Sequence, residues 1–329
     1  MENFDRFKFD RGSLSRPRKP GISAYMRIKN EEQFVRTAIL SHIDFYDEII
    51  AVYNDCTDNT EGILTELAQQ YPRKLKVHHY PPKVHWAHSA EYAQVAGDSV
   101  HGAANYSNYA LSKTTRTVAT KLDADHLAIP GKLASLTEVI RRDIAAGKRK
   151  LYYFSGINLA RNSDGKIGVA GHVPFVGNRD HYYHPVGEGF HYKNNKLAEY
   201  LAIEDSTLET EYMGIMCFHL KYLKHDSAFG KYRSEAERVY MQNKLGEFEW
   251  IDFAEFRSAQ YRAKMKKRLD FYDRLHVDLY AGEFFRKAKY KLTGTPPKLA
   301  HVRLARLAED LAGIDWRRDA IDKLQRRAI

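Results

Sequence analysis

The 329 residues suit one large domain, or a domain with an extension, and a 43% hydrophobic content allows a sizeable core. Two cysteines, Cys56 and Cys217, give no disulfide framework and point to a reducing compartment, and no run of about 18 apolar residues is present to span a membrane as a helix. The whole net charge of +10 lies in the tail: Arg257 to Ile329 holds 19 Lys and Arg against 9 Asp and Glu, and the totals of 52 and 42 leave 33 against 33 before it.

Residues 1–20 read as a polar lead-in, poorly ordered at its start and without the apolar stretch of a signal peptide. Ile22 to Ile28 reads as a strand. Asn30 is a good N-cap for a helix running to about His42, with Phe34, Val35, Ala38 and Ile39 as its buried stripe. Asp47 to Tyr53 is a second strand whose continuous apolar stretch suits cover on both faces. A polar loop, Asn54 to Thr60, leads to a helix carrying Ile63, Leu64, Leu67 and Tyr71. A strand over Lys74 to Tyr80, a helix over Val100 to Ser112 and a strand over Thr117 to Leu122 follow. A helix spans Gly131 to Ala146, and strands cover Leu151 to Phe154 and Glu211 to Leu220. Between them, Ser155 to Tyr200 reads as loop-rich, and from about Arg233 onward the chain reads as helical.

Alternation of strand and helix with short connections predicts an α/β fold, a mostly parallel sheet flanked by helices. Ligands in such sheets bind at the carboxyl ends of the strands, which puts Asn30, Asp55 and Asp123 on one rim. The boundaries predicted are 21–255 for this domain, split at about residue 135 into a nucleotide-binding half and an acceptor half, and 256–329 for a basic helical extension.

The chain is organised around Lys121-Leu122-Asp123-Ala124-Asp125-His126. Residues i and i+2 of a strand share a face, so Asp123 and Asp125 form a pair of hard oxygen ligands at a strand end. Such a pair suits Mg²⁺ or Mn²⁺, ions that keep waters and add phosphate oxygens. Alone, Asp-X-Asp is a weak signal that more often describes two solvated acids in a turn.

Four motifs in order resemble the family 2-type glycosyltransferases of the GT-A fold. They are Lys29-Asn30-Glu31 after the first strand and Cys56-Thr57-Asp58-Asn59-Thr60 after the second. Ser107-Asn108-Tyr109-Ala110-Leu111 lies on a helix, and Leu122-Asp123-Ala124-Asp125 closes the set. The resemblance implies a GT-A-like, Rossmann-like domain that moves a sugar from a nucleoside-diphosphate donor, a UDP-sugar for preference, to a glycan or lipid-linked acceptor in cell-surface polysaccharide synthesis. It implies that Asp123, Asp125 and the late His219 hold Mn²⁺ or Mg²⁺, which neutralises the leaving diphosphate. It gives donor-binding candidates at Arg27, Asn30, Glu31, Asp55, Asp58, Asn108, Lys121 and Lys221. Asp55 can accept from an imide N–H of uracil, though Asn54 competes for that role. Asp58 reads for the ribose or for an Asx-turn with Thr60.

An inverting transfer needs a carboxylate base near the acceptor hydroxyl. Glu204 and Asp205 are the candidates, with Glu188 and Glu211 as rivals. His172, His181, His184 and His191 fall in one window; the spacing matches no zinc pattern, and an acceptor-binding loop is the better reading. In the tail, Arg262, Lys264, Lys266, Lys267 and Arg268 precede Phe271, Leu275, Leu279, Phe284 and Phe285 at helical spacing. A basic amphipathic helix can hold a cytoplasmic protein on the inner face of an anionic membrane. No nucleic-acid recognition motif is present. Two other classes remain open: a nucleotidyltransferase, which lacks here the Gly-rich phosphate loop it needs, and a non-catalytic sugar-nucleotide-binding protein.

Overall fold

The computed structural model describes residues 4–85, 91–171, 175–176, 181–194, 199–205, 207–224, 250–258 and 260. Its first half is built from β1 (Lys19–Ile28), α1 (Val35–His42), β2 (Glu48–Tyr53), α2 (Thr60–Gln70), β3 (Leu75–His79), α3 (Ala103–Ser112) and β4 (Arg116–Lys121). The second half adds β5 (His126–Ala128), α4 (Pro130–Ala145), β6 (Lys150–Arg161), β7 (Ile167–Ala170), β8 (Phe175–Val176) and β9 (Tyr182–Pro185). After these come β10 (Phe190–Asn194), β11 (Glu199–Ile203), β12 (Glu209–Tyr222), β13 (Trp250–Ile251) and α5 (Phe253–Arg257).

The main path of the sheet runs β13-β7-β6-β9-β4-β1-β2-β3, with β12 against β6 and β5, and β8 against β6. Strands β3, β2, β1 and β4 are parallel, as the alternation predicts. Beyond β4 the sheet is mixed. β9 lies antiparallel between β4 and β6, while β12 is parallel to β6 and antiparallel to β5.

β1 shows why the sheet is covered on both sides. Ile22, Ala24, Met26 and Ile28 enter one core with Val35 and Ile39 of α1, Leu64 and Leu67 of α2, and Leu133, Leu136 and Ile140 of α4. Tyr25 points the other way, into a core with Ile50, Val52, Tyr106 and Leu111. This is the period-two alternation of a strand with both faces buried. Each fully buried Ile or Leu contributes about 1.5–3 kcal/mol. Leu133, Leu136 and Ile140 sit at i, i+3 and i+7, so one stripe of α4 meets the sheet.

Two expectations are corrected. The first helix starts at Val35, not after an Asn30 cap. Asn30 adopts φ 52°, a left-handed conformation that Asn tolerates better than most residues, and its amide is spent on Thr57. The lead-in packs on the domain, with Phe7 and Leu14 buried in the core beside α3, and its first three residues lie outside the described residues. The window from Ser155 to Tyr200 is not mainly loop: it holds the end of β6, then β7 to β10 and the start of β11. Gly156, Gly168, Tyr182, Tyr183, His184, His191 and Tyr192 are strand residues here. Gly168 is one of them, since a Cβ there would lie 2.5 Å from the Ile251 carbonyl and the Trp250 ring.

Phe256 of α5 is buried against the second-half core, at the edge of the tail. The amphipathic helix read from Arg262 onward, and most of the helical stretch from Arg233, lie outside the described residues. Among the described residues no helix is long and apolar enough to cross a membrane.

Candidate functional site

The loops after β1 and β2 are locked together by side chains. Asn30 donates to Thr57 Oγ1 at 3.1 Å and accepts from the Thr57 N–H at 2.8 Å. Glu32 accepts from Asn59 N–H, and Asp58 accepts from Glu32 N–H and Thr60 N–H. Both oxygens of Asp58 thus serve the loop, including the Asx-turn with Thr60. Asp55 has φ 45° and stays exposed, paired with Lys29 at 2.6 Å, and that bond holds its carboxyl below the ordinary range. Two non-glycine residues in left-handed conformation at two strand ends are stored strain of the kind that clusters at functional sites. Asn54 is fully buried and donates to the carbonyls of Tyr80 and Pro82, while its Oδ1 has no hydrogen-bond partner. Tyr106 ties the rim from beneath, accepting from Ile28 N–H and donating to the Val52 carbonyl.

Asn108, on α3, is 4% exposed. Its amide grips both the N–H and the carbonyl of Tyr192, at 2.6 and 2.9 Å, and so fixes the β10–β11 hairpin. Arg27, at the end of β1, pairs at 2.7 Å with Glu199 at the start of β11. Both are largely buried. Burial works against the charge of Glu199, but Arg27 and Lys121 hold it below its ordinary range.

At the end of β4 the acid pair turns back into β5. Leu122 N–H bonds the Tyr25 carbonyl, and the Asp125 carbonyl accepts from Leu220 N–H, which sets the turn against β12. Each acid has its own lysine and its own histidine. Asp123 lies 3.3 Å from Lys121, 3.5 Å from His181 Nε2 and 3.8 Å from His126 Nε2. Asp125 lies 2.8 Å from Lys224 and 3.5 Å from His219 Nε2. Burial disfavours both carboxylates, yet Lys121 with His181 and His126 holds Asp123 well below the ordinary range, and His219 with Lys224 does the same for Asp125. Burial and the neighbouring His181 push His126 well below its usual value, so its imidazole is neutral. Lys224 also reaches Glu31 at 2.8 Å.

Acidic and imidazole groups are placed here to bind a metal. Asp123, His126 and His181 form one set, and Asp125, His126 and His219 a second, each with its ligand atoms within 4.8 Å of one another. The donor set, carboxylate oxygens and imidazole nitrogens, fits a divalent ion. Asn158 Oδ1 sits 2.8 Å from His219 Nδ1 and orients that ring as an outer partner of a ligand does.

The structure therefore brings together Asp123, Asp125, His219, Lys121 and Glu31 of the expected residues, with Arg27 beside them through Lys121. Lys221 is exposed, over the Tyr222 ring at 5.9 Å, and Lys224 is the late lysine that enters the cluster. Glu204 lies at the far end of β11 from Glu199, bound by Arg11 and by Lys193 at 2.9 Å. Asp205 accepts from the N–H and hydroxyl of Thr207. Both carboxyls are held below their ordinary range, Glu204 by Lys193 and Asp205 by Thr207. Of the rivals, Glu188 accepts from Ser15 and Glu211 pairs with Lys150. His126, Glu199 and Asn158 lie in or beside this cluster and were assigned no role by sequence. The position of His126, directly after the acid pair, was the one available signal.

The histidine window scatters. His181 joins Asp123, and His191 lies 4.0 Å from Glu204. His184 is buried against the Pro185 carbonyl, and His172 lies outside the described residues. Burial brings His184 and His42 down to about 4. Unfolded, each titrates near 6.5. Between these values the unfolded chain binds protons that the folded chain refuses. The stabilisation is thus complete above about pH 6.5 and is lost as the pH falls toward 4, by about 3 kcal/mol per histidine. Urea titrations at pH 7.5, 6 and 5 should show this fall; a constant midpoint would show that these rings titrate as in the unfolded chain.

A family model described as beta-1,4-N-acetylgalactosaminyltransferase (CgtA) matches residues 5–279. No curated protein matches the chain. Among solved structures, S. aureus TarS 1–349 in complex with UDP is 15% identical, over 42% of this chain and 36% of that one, with a TM-score of 0.29. The chain thus spans about a third of that relative's length. Glucosyl-3-phosphoglycerate synthase from Mycobacterium tuberculosis, in complex with Mn²⁺, UDP-glucose and phosphoglyceric acid, is 14% identical over 65% of this chain and 75% of that one, with a TM-score of 0.31. A mycobacterial protein reaches 0.35, at 14% identity over 71% and 74%. At such scores these likenesses carry no argument.

Proposed function

The chain belongs to the beta-1,4-N-acetylgalactosaminyltransferase (CgtA) family of glycosyltransferases, and from that premise we propose that it moves N-acetylgalactosamine from a UDP-linked donor to a glycan or lipid-linked glycan. The observation that carries the reading is the family match over residues 5–279, within which the acid pair and its histidines fall.

In this reading Asp123, Asp125 and His219 would hold a Mn²⁺ or Mg²⁺ ion, which when bound neutralises charge on the diphosphate that leaves. The chain's own residues do the rest. Lys121 and Lys224 bring positive charge to the same place, each already paired with one acid. The interlocked loops from Lys29 to Gln33 and from Asn54 to Asn59 form the proposed nucleoside cradle, with Asp55 offered at its exposed lip. The β10–β11 hairpin, clamped by Asn108 and by the Arg27–Glu199 pair, borders the cradle on the acceptor side. The tail's charge excess supports presentation of the acceptor at an anionic surface.

The test is incubation of the full chain with UDP-N-acetylgalactosamine, Mn²⁺ and a panel of glycan acceptors. UDP release with a new β-1,4-linked N-acetylgalactosamine, read by NMR of the product, is expected. Release of UMP, or transfer of another sugar in preference, would overturn the reading.

A further inference from the structure

We propose that His126 is itself a ligand of the divalent ion, beside the acid pair and His219, and that the site for this reason prefers Mn²⁺ to Mg²⁺. This rests on the metal-dependent reading above and extends it to a residue that reading does not use. Strand register is the first observation. His126 and His219 are directly opposed across the antiparallel β5–β12 pair, so their side chains share a face. Their ring centroids lie 5.2 Å apart at 90°. His126 is also the member common to both three-residue sets, one through Asp123 and one through Asp125.

The second observation is an unmet need. His126 is 1% exposed, and its Nε2 has no hydrogen-bond partner. The nearest carboxylate oxygen, Asp123 Oδ2, is 3.8 Å away, beyond hydrogen-bond range. Leaving a buried polar nitrogen unmatched is costly, and a fold retains it where something outside the chain satisfies it. A cation between His126 and the acids does so, with the ring's lone pair directed at it.

Ion choice follows from the donor atoms. A pair of carboxylates completed by water and phosphate oxygens suits Mg²⁺, which prefers oxygen ligands in near-ideal octahedral geometry. Two imidazole nitrogens shift the preference to Mn²⁺ and the later transition ions.

The experiment uses the full chain, stripped with chelator and reloaded with Mn²⁺. Electron-spin-echo spectroscopy counts the imidazole nitrogens coupled to the bound ion and needs no variant. Two or more coupled nitrogens are expected. His126→Asn and His219→Asn should each remove one and weaken Mn²⁺ binding at least tenfold, and Mg²⁺ should displace Mn²⁺ from the wild type only in more than hundredfold excess. A single coupled nitrogen in the wild type, lost in His219→Asn, would overturn the role of His126 and leave the metal reading standing. No Mn²⁺ binding by the wild type would overturn both.

Discussion

Asp125→Asn should lower kcat/KM by about 10³-fold while the protein stays folded. The substitution keeps shape and removes one charge. In the site, Asp125 is 6% exposed and carries both Lys224 and His219. Losing its share of metal binding removes several kcal/mol of stabilisation of the leaving diphosphate, and about 4 kcal/mol corresponds to three decades of rate. Lys224 keeps Glu31 as a partner, so the fold is not left with an isolated ammonium. Steady-state transfer assays beside circular dichroism would check this. Activity within tenfold of the wild type in a folded variant would remove Asp125 from the chemistry.

Arg27→Leu should destabilise the fold by about 3–5 kcal/mol, because it strands a buried carboxylate. Glu199 is 15% exposed at its side chain, and Arg27 pairs with it at 2.7 Å. The double variant Arg27→Leu/Glu199→Leu should recover most of that loss, since replacing both charges leaves no unpaired ion. Urea denaturation of the two single variants and the double one measures the cycle. Equal midpoints for Arg27→Leu and the wild type would show that the pair is screened by water.

The first half of the fold was legible because its signals are local. Apolar runs such as Glu48 to Tyr53 and stripes such as Leu133, Leu136 and Ile140 announce their own elements. The acid pair was legible for the same reason, two residues apart at a strand end. Asn30 shows where local reasoning fails: as a cap it competes with Thr57, a partner 27 residues away, and the tertiary contact wins. Strands β7 to β11 were missed because they are short and rich in Tyr, His and Gly. Their strand character comes from pairing, as in Tyr152 with Tyr183 and Gly156 with Val176. The rest of the site comes from separations that spacing does not reveal. His181 reaches Asp123 across 58 residues and Lys224 reaches Glu31 across 193. Asn108 fitted a donor-binding motif, yet both ends of its amide are held by Tyr192, 84 residues on.

The central claim is that the acid pair and its histidines hold a divalent ion that in turn holds a nucleoside diphosphate. Calorimetric titration of UDP into the full chain tests it most directly, once with Mn²⁺ and once with EDTA. The account predicts saturable binding with Mn²⁺ that weakens at least tenfold in EDTA, and the same weakening with Mn²⁺ present in Asp123→Asn. UDP binding of equal affinity in EDTA and in Mn²⁺ would contradict it.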